Sequence, residues 1–114
     1  MKTCTLLFAI AAVASAVTAA VVVAEGEPHT ISDVNDPRIQ ELGAWAVAEH
    51  VKRANDGLRF GKVVSGDEWV AAGMNYRLYI VAVNLAGQNV TYNAVVFEQI
   101  WTNTRKLISF DRVN

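Results

Sequence analysis

Apolar positions along the chain fall into three regimes. In the first, there is no period at all: after Met1 and Lys2, the stretch from Leu6 to Val23 is apolar apart from Ser15 and Thr18. Small residues close it at Val22-Val23-Ala24, and Glu25-Gly26 begins polar sequence. A positive start, an apolar run and a small-residue exit are the pattern of a secretory signal peptide, expected to span residues 1–24 with cleavage after Ala24. An apolar run of this length could also span a bilayer, but it is rich in Ala and no positive flank follows it. Residues 25–36 are polar, contain Pro28 and read as a mobile N-terminal arm.

The second regime has a helical period. Asp36-Pro37 offers an N-cap followed by proline at the first helical position. Ile39, Leu42, Gly43, Ala46, Val47, His50 and Val51 follow at spacings of three and four, the stripe of an amphipathic helix. Arg38, Glu41, Glu49, Lys52 and Arg53 lie mostly off that stripe. Asn55-Asp56-Gly57 ends the helix, with Gly57 suited to a left-handed conformation.

The third regime has a period of two. Leu58 to Val70 is rich in β-formers, Tyr76, Leu78, Ile80 and Ala82 alternate within Asn75 to Asn84, and Val90, Tyr92, Ala94 and Val96 share a face. Gln99 to Thr104 reads as a loop and Arg105 to Phe110 as a last short strand. The short breaks at Ala71-Ala72-Gly73 and Ala86-Gly87-Gln88 imply antiparallel neighbours. The expectation is an α+β fold: one N-terminal helix packed across a curved antiparallel sheet of four long strands, as a single domain over residues 37–114.

Composition narrows the function. Lys plus Arg number 10 and Asp plus Glu 11, so the net charge of -1 gives no basic face for nucleic acid and no polybasic membrane patch. The chain holds one cysteine, Cys4, inside the expected leader, so it has no intramolecular disulfide and no thiol chemistry after cleavage. His29 and His50 are too few for a histidine metal site, and neither a phosphate loop nor a nucleophile elbow is present. His50, on the helix stripe, reads as a packed residue, and Glu98 as a carboxylate without a motif around it. No catalytic residue, metal or cofactor is expected, and the chain does not read as an enzyme.

The informative feature is apolar sequence in the turns. Trp69-Val70-Ala71-Ala72-Gly73 and Ile100-Trp101 flank the first and third hairpin turns, which lie at the same end of an antiparallel sheet. Exposed, they form a binding edge; folded back, they form a local cluster. Asn89-Val90-Thr91 is a glycosylation sequon beside the middle turn, at the opposite end.

These segments resemble a plant cystatin, a phytocystatin. Leu42-Gly43-Ala44-Trp45-Ala46-Val47-Ala48-Glu49-His50 is similar to the plant helix signature Leu-Ala-Arg-Phe-Ala-Val. Residues 69–73 occupy the place of the Gln-x-Val-x-Gly loop, with Trp69 for Gln and Ala71 for Val, while Val70 and Gly73 fit. Ile100-Trp101 occupies the place of the Pro-Trp pair, and Gly26 is one glycine where the arm usually has two. The resemblance implies a short N-terminal strand before the helix. It also implies reversible inhibition of papain-like cysteine proteases by a wedge of Gly26, Trp69, Val70, Ala71, Ala72, Gly73, Ile100 and Trp101. The alternative is a cystatin-fold protein with weakened or lost inhibition, acting in binding or storage. A secreted or vacuolar monomer that leaves the membrane on leader removal is expected, with a domain-swapped dimer the alternative. With the chain ending at Asn114, inhibition of legumain-like proteases is not expected.

Overall fold

The computed structural model describes residues 26–113. The expected leader and its cleavage site therefore lie outside the described residues. Among these, the order is β1 (His29–Thr30), α1 (Pro37–Ala54), β2 (Arg59–Val70), β3 (Met74–Val83), β4 (Asn89–Gln99), a 3₁₀ turn (Ile100–Thr102) and β5 (Thr104–Arg112). The strands form one antiparallel sheet in the order β1-β2-β3-β4-β5, and α1 covers one of its faces.

The helix begins where the sequence says it should. An Asp36 carboxylate oxygen accepts from the Arg38 amide at 2.9 Å, and Pro37 follows the cap. Its end falls at the expected Asn55-Asp56-Gly57 segment, with one refinement. Asn55, not Gly57, is the left-handed cap, with φ 53° and its N–H donating to the Val51 carbonyl at 2.7 Å. Asparagine tolerates this conformation because its short side chain bonds locally, and Gly57 takes a second positive φ of 71° just beyond.

The buried stripe of α1 is Ile39, Leu42, Gly43, Ala46 and Val47. It meets Tyr76, Leu78, Ile80 and Ala82 of β3 and Ala94 and Val96 of β4, all buried on the helix-facing side. Alternation in β2 is not strict, because the register shifts between Phe60 and Lys62 and again between Val63 and Ser65. Each shift adds one unpaired residue. The strand thereby keeps Phe60, Val63, Gly66 and Glu68 opposite the inward residues of β3. Gln40 of α1 stitches the helix to this irregular stretch. Its amide oxygen accepts from Val63 N at 3.0 Å and its Nε2 donates to Val63 O at 3.1 Å. Gly43 allows the close approach, since a Cβ there would stand 2.4 Å from Val63 Cγ2 and 3.0 Å from the Phe60 ring.

Two further expectations are corrected. The arm is not free along its length: His29 and Thr30 pair with Glu68 and Asp67, and Ile31 is buried in the core with its N–H on Gly66 O at 2.9 Å. Ile31 and Val34 are two apolar residues in a polar stretch, too little alternation for a strand to be read from them, and the short strand is the one the resemblance implies. The last strand runs to Arg112, longer than expected, because a bulge opposite Val95 and Val96 interrupts its alternation at Ile108.

Candidate functional site

One end of the sheet gathers the segments singled out in the sequence. Trp69 and Val70 are the last two residues of β2, and Ala71–Gly73 make the turn to β3. Two positive φ values, 62° at Ala72 and 150° at Gly73, close that turn, with Ala71 N–H on Gly73 O at 3.0 Å. The Asn75 amide donates to Ala71 O at 3.1 Å and fixes its base. Gly26 joins the same end, its N–H on Val70 O at 3.0 Å. The β4–β5 connection is tighter than a loop. It is one 3₁₀ turn closed by Asn103 at φ 54°, whose N–H donates to Ile100 O. Ile100 and Trp101 project from it, each 72% exposed, and Val70 is 42% exposed.

Trp69 is placed differently from the other residues. It is half-buried on the helix-free face of the sheet, with the Arg77 guanidinium 5.8 Å from its ring centroid. Trp101 and Trp69 therefore do not form a local cluster of two tryptophans: one projects from the tip and the other lies along a strand. Gly73 is buried, Ala71 half-buried and Ala72 exposed. Asn89, exposed at the start of β4, lies at the other end of the sheet.

Beneath this edge sits a charge network that the sequence did not disclose. Glu98 follows Val96 on the inward face of β4, yet it is 8% exposed and carries a charge. Arg38, in the first turn of α1, donates to its Oε1 and also to the Tyr76 hydroxyl at 3.1 Å. Arg105 of β5 donates to Glu98 Oε2 at 2.8 Å and to both oxygens of Glu41 at 2.9 and 3.2 Å. The Arg105 guanidinium also lies 5.3 Å from the Trp45 ring centroid. The inward position of Glu98 is a signal in the sequence, but its partners stand on separate elements and no spacing announces them. Glu98 is bound by two cations, which is a structural role for it and not that of a base.

Burial alone would raise the Glu98 carboxyl, but hydrogen bonds from Arg105 and Arg38, with their charges, hold it below the ordinary glutamate range. The folded state therefore binds fewer protons here than the unfolded chain. The resulting stabilisation is complete above the unfolded value of about 4.3 and is lost as pH falls through the lower folded value. Denaturant titrations from pH 7 down to pH 3 should show stability falling below roughly pH 5. Glu98→Gln should flatten part of that fall, and an unchanged slope would show that Glu98 does not carry it.

At the far end of the helix, His50 stacks on Phe110 with centroids 4.2 Å apart, and its Nε2 lies 2.7 Å from Asp56 Oδ2. It is a packed residue of the helix stripe. Among the described residues, no group of three or more His, Cys, Asp or Glu could hold a metal ion, and no helix is long and apolar enough to cross a membrane.

A family model described as aspartic acid proteinase inhibitor (SQAPI) matches residues 31–113. Cysteine proteinase inhibitor 8 of Oryza sativa subsp. japonica is 58% identical over 80 residues, which are 70% of this chain and 65% of that protein. Cysteine proteinase inhibitor 6 of the same plant is 53% identical over 85 residues, 72% of this chain and 74% of that protein. In three dimensions, the salivary cystatin of the soft tick Ornithodoros moubata superposes with a TM-score of 0.69 at 21% identity, over 78% of this chain and 98% of that one. The tick protein shares the fold. Fold, helix signature and kinship agree: the chain belongs to the cystatin-like proteinase inhibitors, among the plant cysteine proteinase inhibitors known as phytocystatins.

Proposed function

We propose that this protein is a reversible inhibitor of papain-like cysteine proteases that blocks the active-site cleft with one edge of its sheet. The observation that carries this reading is the meeting of Gly26, the Ala71–Gly73 turn and the Ile100–Trp101 turn at one end, with two large apolar side chains exposed there. Exposed apolar side chains on fixed turns bury area on binding without first having to be ordered. Trp101 is the anchor, as aromatic hot spots are. Gly26, having no side chain, lets the arm backbone come close to the cleft.

Titration of the purified protein against active papain with a fluorogenic substrate tests this. Stoichiometric or nanomolar inhibition is expected. A protein that is folded by circular dichroism but inert at micromolar concentration would overturn the reading and favour a binding or storage role. A second reading is inhibition of aspartic proteinases, favoured by the description of the matching family model. The same titration against pepsin separates the two.

Because Trp69 lies against Arg77 and away from the tip, its exchange is a mild one. We expect Trp69→Gln to shift the inhibition constant for papain by less than about fivefold, within the range of most interface positions outside hot spots. A larger change would place Trp69 at the partner. We further propose that residues 1–24 direct secretion and that a glycan at Asn89, opposite the edge, leaves the wedge clear.

A further inference from the structure

The β3–β4 ladder ends at Met74 and Glu98. Beyond it the two turns of the edge have no backbone pairing with each other, and yet their tips are joined. Gln99, the last residue of β4, reaches across with Nε2 and donates to the Ala72 carbonyl at 2.7 Å. Its Oε1 accepts from the Thr102 hydroxyl at 2.6 Å, and that hydroxyl oxygen lies 2.8 Å from the Thr104 hydroxyl. The Thr102 hydroxyl also lies 3.2 Å from the Gln99 carbonyl oxygen, so both of its acceptors belong to Gln99. Ala72 O accepts, so the Gln99 nitrogen faces it. Gln99 Oε1 is then the nearer of the two acceptors for the Thr102 proton, and with that proton given to it Thr102 Oγ1 accepts from Thr104. One chain of hydrogen bonds thus runs from β5, through the 3₁₀ turn, to the first turn.

The chain ends on a strained residue. Ala72 holds φ 62°, a conformation that a non-glycine residue keeps only where its surroundings over-determine it. The Gln99 amide is the side chain that fixes the Ala72 carbonyl, and with it the direction of the peptide between Ala72 and Gly73.

We infer that Gln99 is a positioning residue of the inhibitory edge, the strut that holds the Ala71–Gly73 turn and the Ile100–Trp101 turn as one preformed surface. The inference rests on the protease-inhibitor reading above. Affinity gained this way comes from ordering that binding no longer has to supply. Both partners of the strut lie on the surface, outside the core, so its loss leaves the fold alone.

A double-mutant cycle on the purified protein tests it, read as the papain inhibition constant together with the unfolding temperature. Gln99→Ala and Thr102→Val should each weaken inhibition, Gln99→Ala by about tenfold and Thr102→Val by somewhat less. The double variant should be no weaker than Gln99→Ala alone, and all three should unfold within about 2 °C of the parent. If Gln99 instead touched the protease directly, Thr102→Val would leave the constant unchanged, and that result overturns the inference. So do strictly additive losses, or a shift below twofold for Gln99→Ala. A parent protein that does not inhibit papain is a different failure: it removes the inhibitor reading and the strut's role with it.

Discussion

Replacing Trp101 with alanine is expected to weaken papain inhibition by roughly 30- to 1,000-fold, the range of an interface hot spot worth about 2–4 kcal/mol. The side chain is 72% exposed in the free protein, so truncation removes almost nothing from the core. The turn that carries it is fixed by other groups: Asn103 closes it through Ile100 O, and Thr102 bonds back to Gln99. Trp101→Ala should therefore leave the unfolding transition where it is. That combination, a large loss of affinity with unchanged stability, is what distinguishes a contact residue from a structural one. Inhibition constants and thermal melts on the same preparation measure both. If the variant inhibits as well as the parent, the edge is not the contact surface, and the binding surface must be sought elsewhere on the molecule.

The helix and the three central strands were legible because their inward residues obey a period, and burial follows it. Leu42, Ala46, Leu78, Ile80, Ala82, Ala94 and Val96 are all 0% exposed, and the pattern marks every one. What the pattern missed has a common cause. β1 is two residues long, so the resemblance implies it where no alternation does, and β5 carries a bulge, so the strand read over Arg105 to Phe110 stops short of its ends at Thr104 and Arg112. β2 reads as a strand by composition, but its two register shifts are invisible until β3 is laid beside it. The site shows the same division. The turns were found from apolar residues where polar ones are expected, and antiparallel order put them at one end. Trp69 adjoins the turn in sequence, but the alternation of β2 continues through it and directs it to the helix-free face with Arg77. The Arg38–Glu98–Arg105–Glu41 network and the Gln99 strut join residues far apart in the chain, so only the fold brings them together.

Gly73→Ala is expected to damage both fold and inhibition, and its cause can be isolated. Gly73 holds φ 150°, which L side chains rarely adopt, and is buried between the two turns. A Cβ there would stand 2.5 Å from the Glu98 carbonyl oxygen and 3.0 Å from the Phe97 ring. The oxygen belongs to the backbone of β4 and cannot swing away as a side-chain tip could. Strain at the backbone costs about 1–3 kcal/mol and overpacking against a fixed neighbour about 1–3 kcal/mol. A total near 4 kcal/mol is thus expected for the variant. The least costly relief is for the Ala71–Gly73 turn to lift off β4, which draws Ala72 O away from Gln99. Inhibition should then fall by more than the drop in folded fraction accounts for. Gly87→Ala supplies the comparison. Its φ of 79° is also positive, but a Cβ there meets nothing within 4 Å, and it lies in the turn at the far end of the sheet. It should cost about 1 kcal/mol of stability and leave the inhibition constant unchanged. Denaturant unfolding and papain titration on the two variants read the difference. Equal losses would mean that the clash with Glu98 plays no part and that the edge tolerates a displaced first turn.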